Sequence, residues 1–277
     1  MTEPETRITD LIDLLTVTPD GAMHFAGQRK NGGVGRVFGG QVIAQSLAAA
    51  TATVEPDRAA HSLHAYFLRM GSEDFPIDYA VENNFDGGNY SNRRVVASQR
   101  GTPILTLAAS FQRERDGLAH QVAMPDLPGP DAVGLIEVRD AARNMAEAGQ
   151  RVSPLALDWP FETRFAPGEN WLWLRCPTAL PDDPALHRIL LAYASDYGPL
   201  SAALRVHGLT PWTPGMRVAS LDHALWFHEP FRVDEWILFT TKSPWTGHGR
   251  GFSRGRFFTR DGRLVAETAQ EGMMREG

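Results

Sequence analysis

Apolar side chains recur at Ile8, Leu11, Ile12 and Leu15, the three-and-four spacing of one helical face, so a short leading helix is expected over residues 8–16. The stretch Gln41-Val-Ile-Ala-Gln-Ser-Leu-Ala-Ala-Ala50 is rich in strong helix formers and predicts a longer helix directly after a glycine-rich run. From residue 62 the pattern changes. Stretches 62–69, 76–83, 90–99 and 104–112 carry Val, Ile, Tyr, Phe and Thr, and Gly71, Asp86-Gly-Gly88 and Arg100-Gly101 break them at turn-like intervals. Antiparallel strands are expected there.

Residues 116–160 differ again. Pro125, Pro128, Gly129 and Pro130 punctuate this segment, and 138–149 is a polar, Ala-containing helical stretch. The second half then repeats the order of the first, with an aromatic strand over 165–175 and an apolar helix over 184–205. Strands are expected at 216–228, 236–242, 249–259 and 264–273, with turns at 245–247 and Asp261-Gly262. Ser62-Leu-His-Ala-Tyr-Phe67 is echoed by Ser220-Leu-Asp-His-Ala-Leu-Trp-Phe227, which suggests duplication. The pattern is α+β, a helix wrapped by a curled antiparallel sheet, twice. It divides the chain into an N-terminal unit (1–115), a connecting segment with a helix (116–160) and a C-terminal unit (161–277).

Composition narrows the chemistry. Lys and Arg number 27 against 33 Asp and Glu, so no basic surface for nucleic acid is expected. Cys176 is the only cysteine, which excludes an internal disulfide, suits a reducing compartment and reads as a small apolar filler. The N-terminus lacks a signal-peptide core, and no apolar run approaches the ~20 residues of a membrane span, so a cytoplasmic protein with no membrane partner is expected. The nine histidines contain no zinc-binding spacing, and the glycines of 32–40 lack the βαβ context of a dinucleotide site; neither a metal nor a cofactor is expected.

Five blocks then carry a resemblance: Arg36-Val-Phe-Gly-Gly-Gln-Val42, Ala109-Ser-Phe-Gln112, Leu191-Ala-Tyr-Ala-Ser-Asp196, Ser220-Leu-Asp-His-Ala-Leu-Trp-Phe-His228 and Gln270-Glu-Gly-Met-Met-Arg275. Together, in this order, they resemble the type II (TesB-like) acyl-CoA thioesterases over nearly the whole chain. The resemblance implies a double hotdog, two fused hotdog folds, that hydrolyses fatty acyl-CoA to free acid and CoA. It also implies Asp196, Ser220 and Gln270 as the residues that bind and activate the water. Ser220 stands where many bacterial members carry Thr. The fused fold suggests a homo-oligomer, a dimer or tetramer of such chains.

The residues themselves leave choices open. Asp196 closes a strongly apolar helix, so it is either a buried functional carboxylate or a cap at the break before Tyr197-Gly-Pro199. Strand alternation puts Ser220 and Asp222 on one face and Leu221 and His223 on the other, and Asp222 and His223 are expected to make structural hydrogen bonds. No nucleophile elbow surrounds Ser220, so its hydroxyl would orient water. Gln270 cannot take a proton and would fix the water or the thioester oxygen, while a backbone N–H at a helix start would face the oxyanion. Matching Gly101 to Gly262 puts Ala109 at the place of Gln270, so one site per chain is expected. Arg93, Arg94, Arg250, Arg254 and Arg256 read as exposed strand charges, with CoA phosphate as their functional alternative. Two other functions fit the same fold, a non-catalytic acyl-CoA-binding protein and a double-hotdog enoyl-CoA hydratase. The hydratase would want a closely spaced Asp and His, and Asp196 and His187 lie nine residues apart.

Overall fold

The structure is a computed structural model and describes residues 3–30, 32–33 and 35–277. The first two residues of the N-terminal reading, and Asn31 and Val34 of the glycine-rich run, lie outside the described residues. In chain order the elements are α1 (Glu3–Leu15), β1 (Val17–Pro19), β2 (His24–Gly27), α2 (Gly39–Thr51), β3 (Arg58–Phe67), β4 (Ile77–Asp86), β5 (Tyr90–Gln99) and β6 (Thr102–Arg113). There follow α3 (Val138–Glu147), α4 (Pro154–Leu157), β7 (Glu162–Phe165), β8 (Trp171–Arg175), α5 (Pro184–Ser195) and α6 (Pro199–Arg205). The last five strands are β9 (Met216–Ser220), β10 (Asp222–Phe227), β11 (Ile237–Gly247), β12 (Arg250–Thr259) and β13 (Leu264–Glu276).

Among the described residues, twelve strands run in one antiparallel order, β1-β2-β4-β5-β6-β3-β10-β13-β12-β11-β8-β7, and β9 pairs with β13 beside it. The order reads the same from both ends toward a seam at β3 and β10, where Leu63 faces Leu225. These seam strands are the two that echo each other in sequence. The expected α+β double-hotdog architecture is therefore present, with α2 and α5 as the two wrapped helices, packed on one another. Burial explains why α2 carries Ala, Val, Ile and Leu on nearly every face: ten of its thirteen residues are buried, from Gly40 to Ala50. Gln41, Gln45 and Ser46 are the polar exceptions, and the two glutamines both donate to the Gln28 carbonyl.

Several boundaries differ from the sequence reading. The stretch 184–205 is two helices, because Gly198 adopts φ +113° and Pro199 begins a new helix with its fixed φ. The expected strand 216–228 breaks at Leu221, and 165–175 breaks between β7 and β8. Residues 245–247 continue β11 after a register shift, and the turn falls at His248 and Gly249, both at positive φ. The short strands β1 and β2 were not anticipated.

The two central helices meet where there is no room for a side chain. A methyl built on Gly40 would collide with the Tyr193 backbone carbonyl at the end of α5 and stand 2.5 Å from the Phe38 ring. Gly40→Ala should therefore lower stability by ~1–3 kcal/mol through overpacking. Urea denaturation checks this; an unchanged midpoint would mean that the α2–α5 contact is looser than described.

Candidate active site

Asp196 is the C-cap residue of α5, and its side chain reaches the start of a second helix. Its carboxylate accepts the backbone N–H of Gly40 in the first turn of α2, whose N-cap residue Phe38 makes no side-chain cap. A carboxylate from the second half thus satisfies an otherwise unpaired donor at the positive end of the first half's helix. The neighbouring glycine is equally constrained: a methyl on Gly39 would lie 2.6 Å from Asp196 Oδ2. The Gly39-Gly40 pair lets the carboxylate approach the backbone.

Gln270, on β13, donates from Nε2 to Asp196 Oδ1 at 2.8 Å and to Ser220 Oγ at 2.6 Å. The three residues singled out from the sequence are therefore in direct contact, brought from the end of α5, the end of β9 and the middle of β13. Gln270 is 1% exposed and the Asp196 side chain 5%. Burial pushes the Asp196 carboxyl up to about 7, against the Gln270 and Gly40 donors that pull it down.

The alternation expected around Ser220 does not hold. Ser220 pairs with Gly272, and Ala224 with Ala269, so three residues (221–223) oppose two (270–271). This β-bulge resets the phase of the strand and brings Ser220 and His223 both to Gln270. His223 Nδ1 lies 3.3 Å from Gln270 Oε1, and Asp222 turns aside to accept the backbone N–H of Glu271. His223 is fully buried, and burial holds its imidazole down to about 4 against the Gln270 hydrogen bond. It also lies 4.0 Å from Asp196 Oδ1, an Asp–His approach that the sequence spacing did not reveal. Only a bulge could have signalled it, and none is legible there.

Two cavities meet at Asp196. One, of about 400 Å³, is lined mainly by apolar side chains, among them Phe38, Phe165, Leu200, Trp212 and Phe239. The other, of about 310 Å³, is lined by Arg36, Gly39, Phe67, Arg69 and Ser220, among others. The arginines considered for phosphate lie elsewhere. Arg93 is buried, not exposed, and holds the Asp86 carboxylate and the Thr53 carbonyl. Arg94, Arg250 and Arg256 pair with Glu82, Glu271 and Glu267, and Arg254 sits over the Phe252 ring. Cys176 is buried, and burial raises its thiol pKa, as suits a filler.

The first half has no such cluster at the matching place. Arg93, Ala109 and Leu63 sit side by side on β5, β6 and β3, where the second half has Ser253, Gln270 and His223.

The family model for acyl-CoA thioesterases matches residues 142–273, and that for the acyl-CoA thioesterase N-terminal domain matches residues 28–112. The chain is 36% identical to acyl-CoA thioesterase 2 of Haemophilus influenzae, covering 97% of this chain and 98% of that one. It is 37% identical to acyl-coenzyme A thioesterase 8 of Homo sapiens, covering 87% of this chain and 81% of that protein. Among solved structures, an acyl-CoA thioesterase II, TesB2, from Mycobacterium marinum matches with a TM-score of 0.79 and 37% identity, over 96% of this chain and 98% of that one.

The raised Asp196 pKa carries a consequence for stability. The unfolded chain ionises near the ordinary 3.8 and the folded chain only near 7, so folding loses stability as pH rises between those values. Asp196→Asn removes this term. The melting temperature of the Asn variant minus that of the parent should climb from pH 4 to pH 7 and level off above. Melts across that series test it; a difference that stays flat with pH would contradict the raised pKa.

Proposed function

The chain belongs to the acyl-CoA thioesterases, which cleave acyl-CoA thioesters, and on that premise we propose that Asp196 is the general base for attack of water on a fatty acyl-CoA, with Ser220 holding the water and Gln270 holding Asp196 and Ser220 in place. The observation that carries this reading is that Gln270 bonds both to Asp196, which lines two cavities, and to Ser220, which lines one of them. The Ser220 oxygen accepts from Gln270, so its own O–H is available to donate to a water. That water donates in turn to Asp196, whose pKa near 7 suits a base that must take a proton and later return it.

The proton balance closes without a cofactor. Water oxygen bonds to the thioester carbon as Asp196 takes a proton, and the developing oxyanion faces the positive end of α2, where Gly39 lines the same cavity. Collapse breaks the carbon–sulfur bond, and the departing thiolate recovers the proton from Asp196. The apolar 400 Å³ cavity suits the acyl chain, and the cavity carrying Arg36 and Arg69 suits the CoA side. On this reading the N-terminal hotdog (1–115) contributes the start of α2, the connecting segment (116–160) part of the acyl wall, and the C-terminal hotdog (161–277) the three side chains.

Asp196→Asn keeps the shape and the hydrogen bond from Gly40 but not the basicity, so turnover should fall by roughly 10²–10⁴-fold. Ser220→Ala and Gln270→Ala should each cost less, since they remove positioning bonds and leave the base in place. In the parent enzyme kcat/KM should rise with pH and level off above about 7. Thiol release from acyl-CoA measures all of these; near-parental turnover in a folded Asp196→Asn variant would overturn the assignment.

A further inference from the structure

Behind Gln270 lies a buried chain of hydrogen bonds. Ser195 Oγ, at the end of α5, is 2.9 Å from His223 Nε2, and His223 Nδ1 is 3.3 Å from Gln270 Oε1. The Gln270 amide then turns its Nε2 to Asp196 and Ser220. We infer that His223 is a positioning residue: as the neutral tautomer with its proton on Nδ1, it locks the Gln270 amide with the NH₂ group toward Asp196.

Donor and acceptor counting carries the inference. With Gln270 Nε2 on an ionised Asp196 and on Ser220, its oxygen faces the ring nitrogen and needs a donor there. A bare Nδ1 would set two lone pairs against each other in a dry interior. With the proton on Nδ1, Nε2 is left as an acceptor, and of the two hydroxyls beside it Ser195 Oγ, 2.9 Å from that nitrogen and 2.9 Å from the Ala192 carbonyl, is the nearer one to donate to it. Thr268, 3.2 Å from the same nitrogen, spends its proton on the Ala224 carbonyl at 2.8 Å. Every group is then satisfied without a buried cation, which agrees with the depressed imidazole pKa. The lock acts when Asp196 takes the proton from water. An unrestrained amide could then turn its oxygen to the new carboxylic acid and hold the proton there; a restrained one keeps donating and helps to pass the proton on. The first half lacks this lock, with Leu63 in the place of His223 and Ala109 in that of Gln270.

The inference rests on the proposed role of Asp196, and its test separates the two. An Asn side-chain amide can place a donor near Nδ1 of the replaced histidine, and a Gln amide can place one near Nε2. His223→Asn should keep most of the turnover and the parental pH profile. His223→Gln should lower kcat by about 10–100-fold with KM little changed. It should also move the acid limb of the profile to higher pH, because Asp196 loses a dependable donor. Equal kcat and equal acid limbs in the two folded variants would overturn the inference. ¹⁵N NMR of the parent protein tests the tautomer without any substitution: protonated Nδ1 and bare Nε2 are expected, and the reverse would refute the lock. If Asp196→Asn retains turnover, the base assignment falls; if it does not, and His223→Gln is harmless, only the lock falls.

Discussion

One hydrogen bond, from the Gly40 N–H to the Asp196 carboxylate, joins the two halves at the point where the chemistry is proposed to occur. The second half supplies an anion, and the first supplies the positive end of α2 to receive it. The contact requires two glycines, a helix that stops at Ser195 and a helix with no cap of its own. Remove any of these and the carboxylate has no place against the backbone.

Burial and hydrogen bonding act on that carboxylate in opposite directions. Loss of water raises its pKa, and the Gly40 and Gln270 donors lower it, leaving it near neutrality. A carboxylate in open water would be a weak base, and one fully desolvated without donors would hold its proton too tightly. The same burial keeps His223 uncharged, so it can hydrogen-bond to Gln270 without competing with Asp196 for a proton. The distinction between a base and a group that orients its neighbour thus follows from environment, since both side chains lie within 4.0 Å of one another.

Where local pattern decided structure, the sequence was legible. Strand β5 coincides with the stretch 90–99 read from its strand-favouring residues, and the Ala-rich run became α2 because a helix buried on almost every side needs small apolar residues. The three site residues could be placed only through family resemblance, since an Asp, a Ser and a Gln on three separate elements make no local motif. Two features escaped for a shared reason: they depend on distant partners. The bulge at 221–223 exists because β13 offers two residues where β9 and β10 offer three, and Arg93 is buried because Asp86 and Thr53 meet it from neighbouring elements. Strands β1 and β2 are three and four residues long, too short for periodicity to register.

The central claim is that a carboxylate enclosed between the two halves is poised to exchange a proton near neutral pH. Its most direct measurement is the titration of the Asp196 carboxyl itself, followed by ¹³C NMR of aspartate-labelled protein with Asp196→Asn used to assign the resonance. The account predicts a midpoint near 7, coinciding with the acid limb of kcat/KM. A midpoint in the ordinary carboxylate range, around 4, would contradict it.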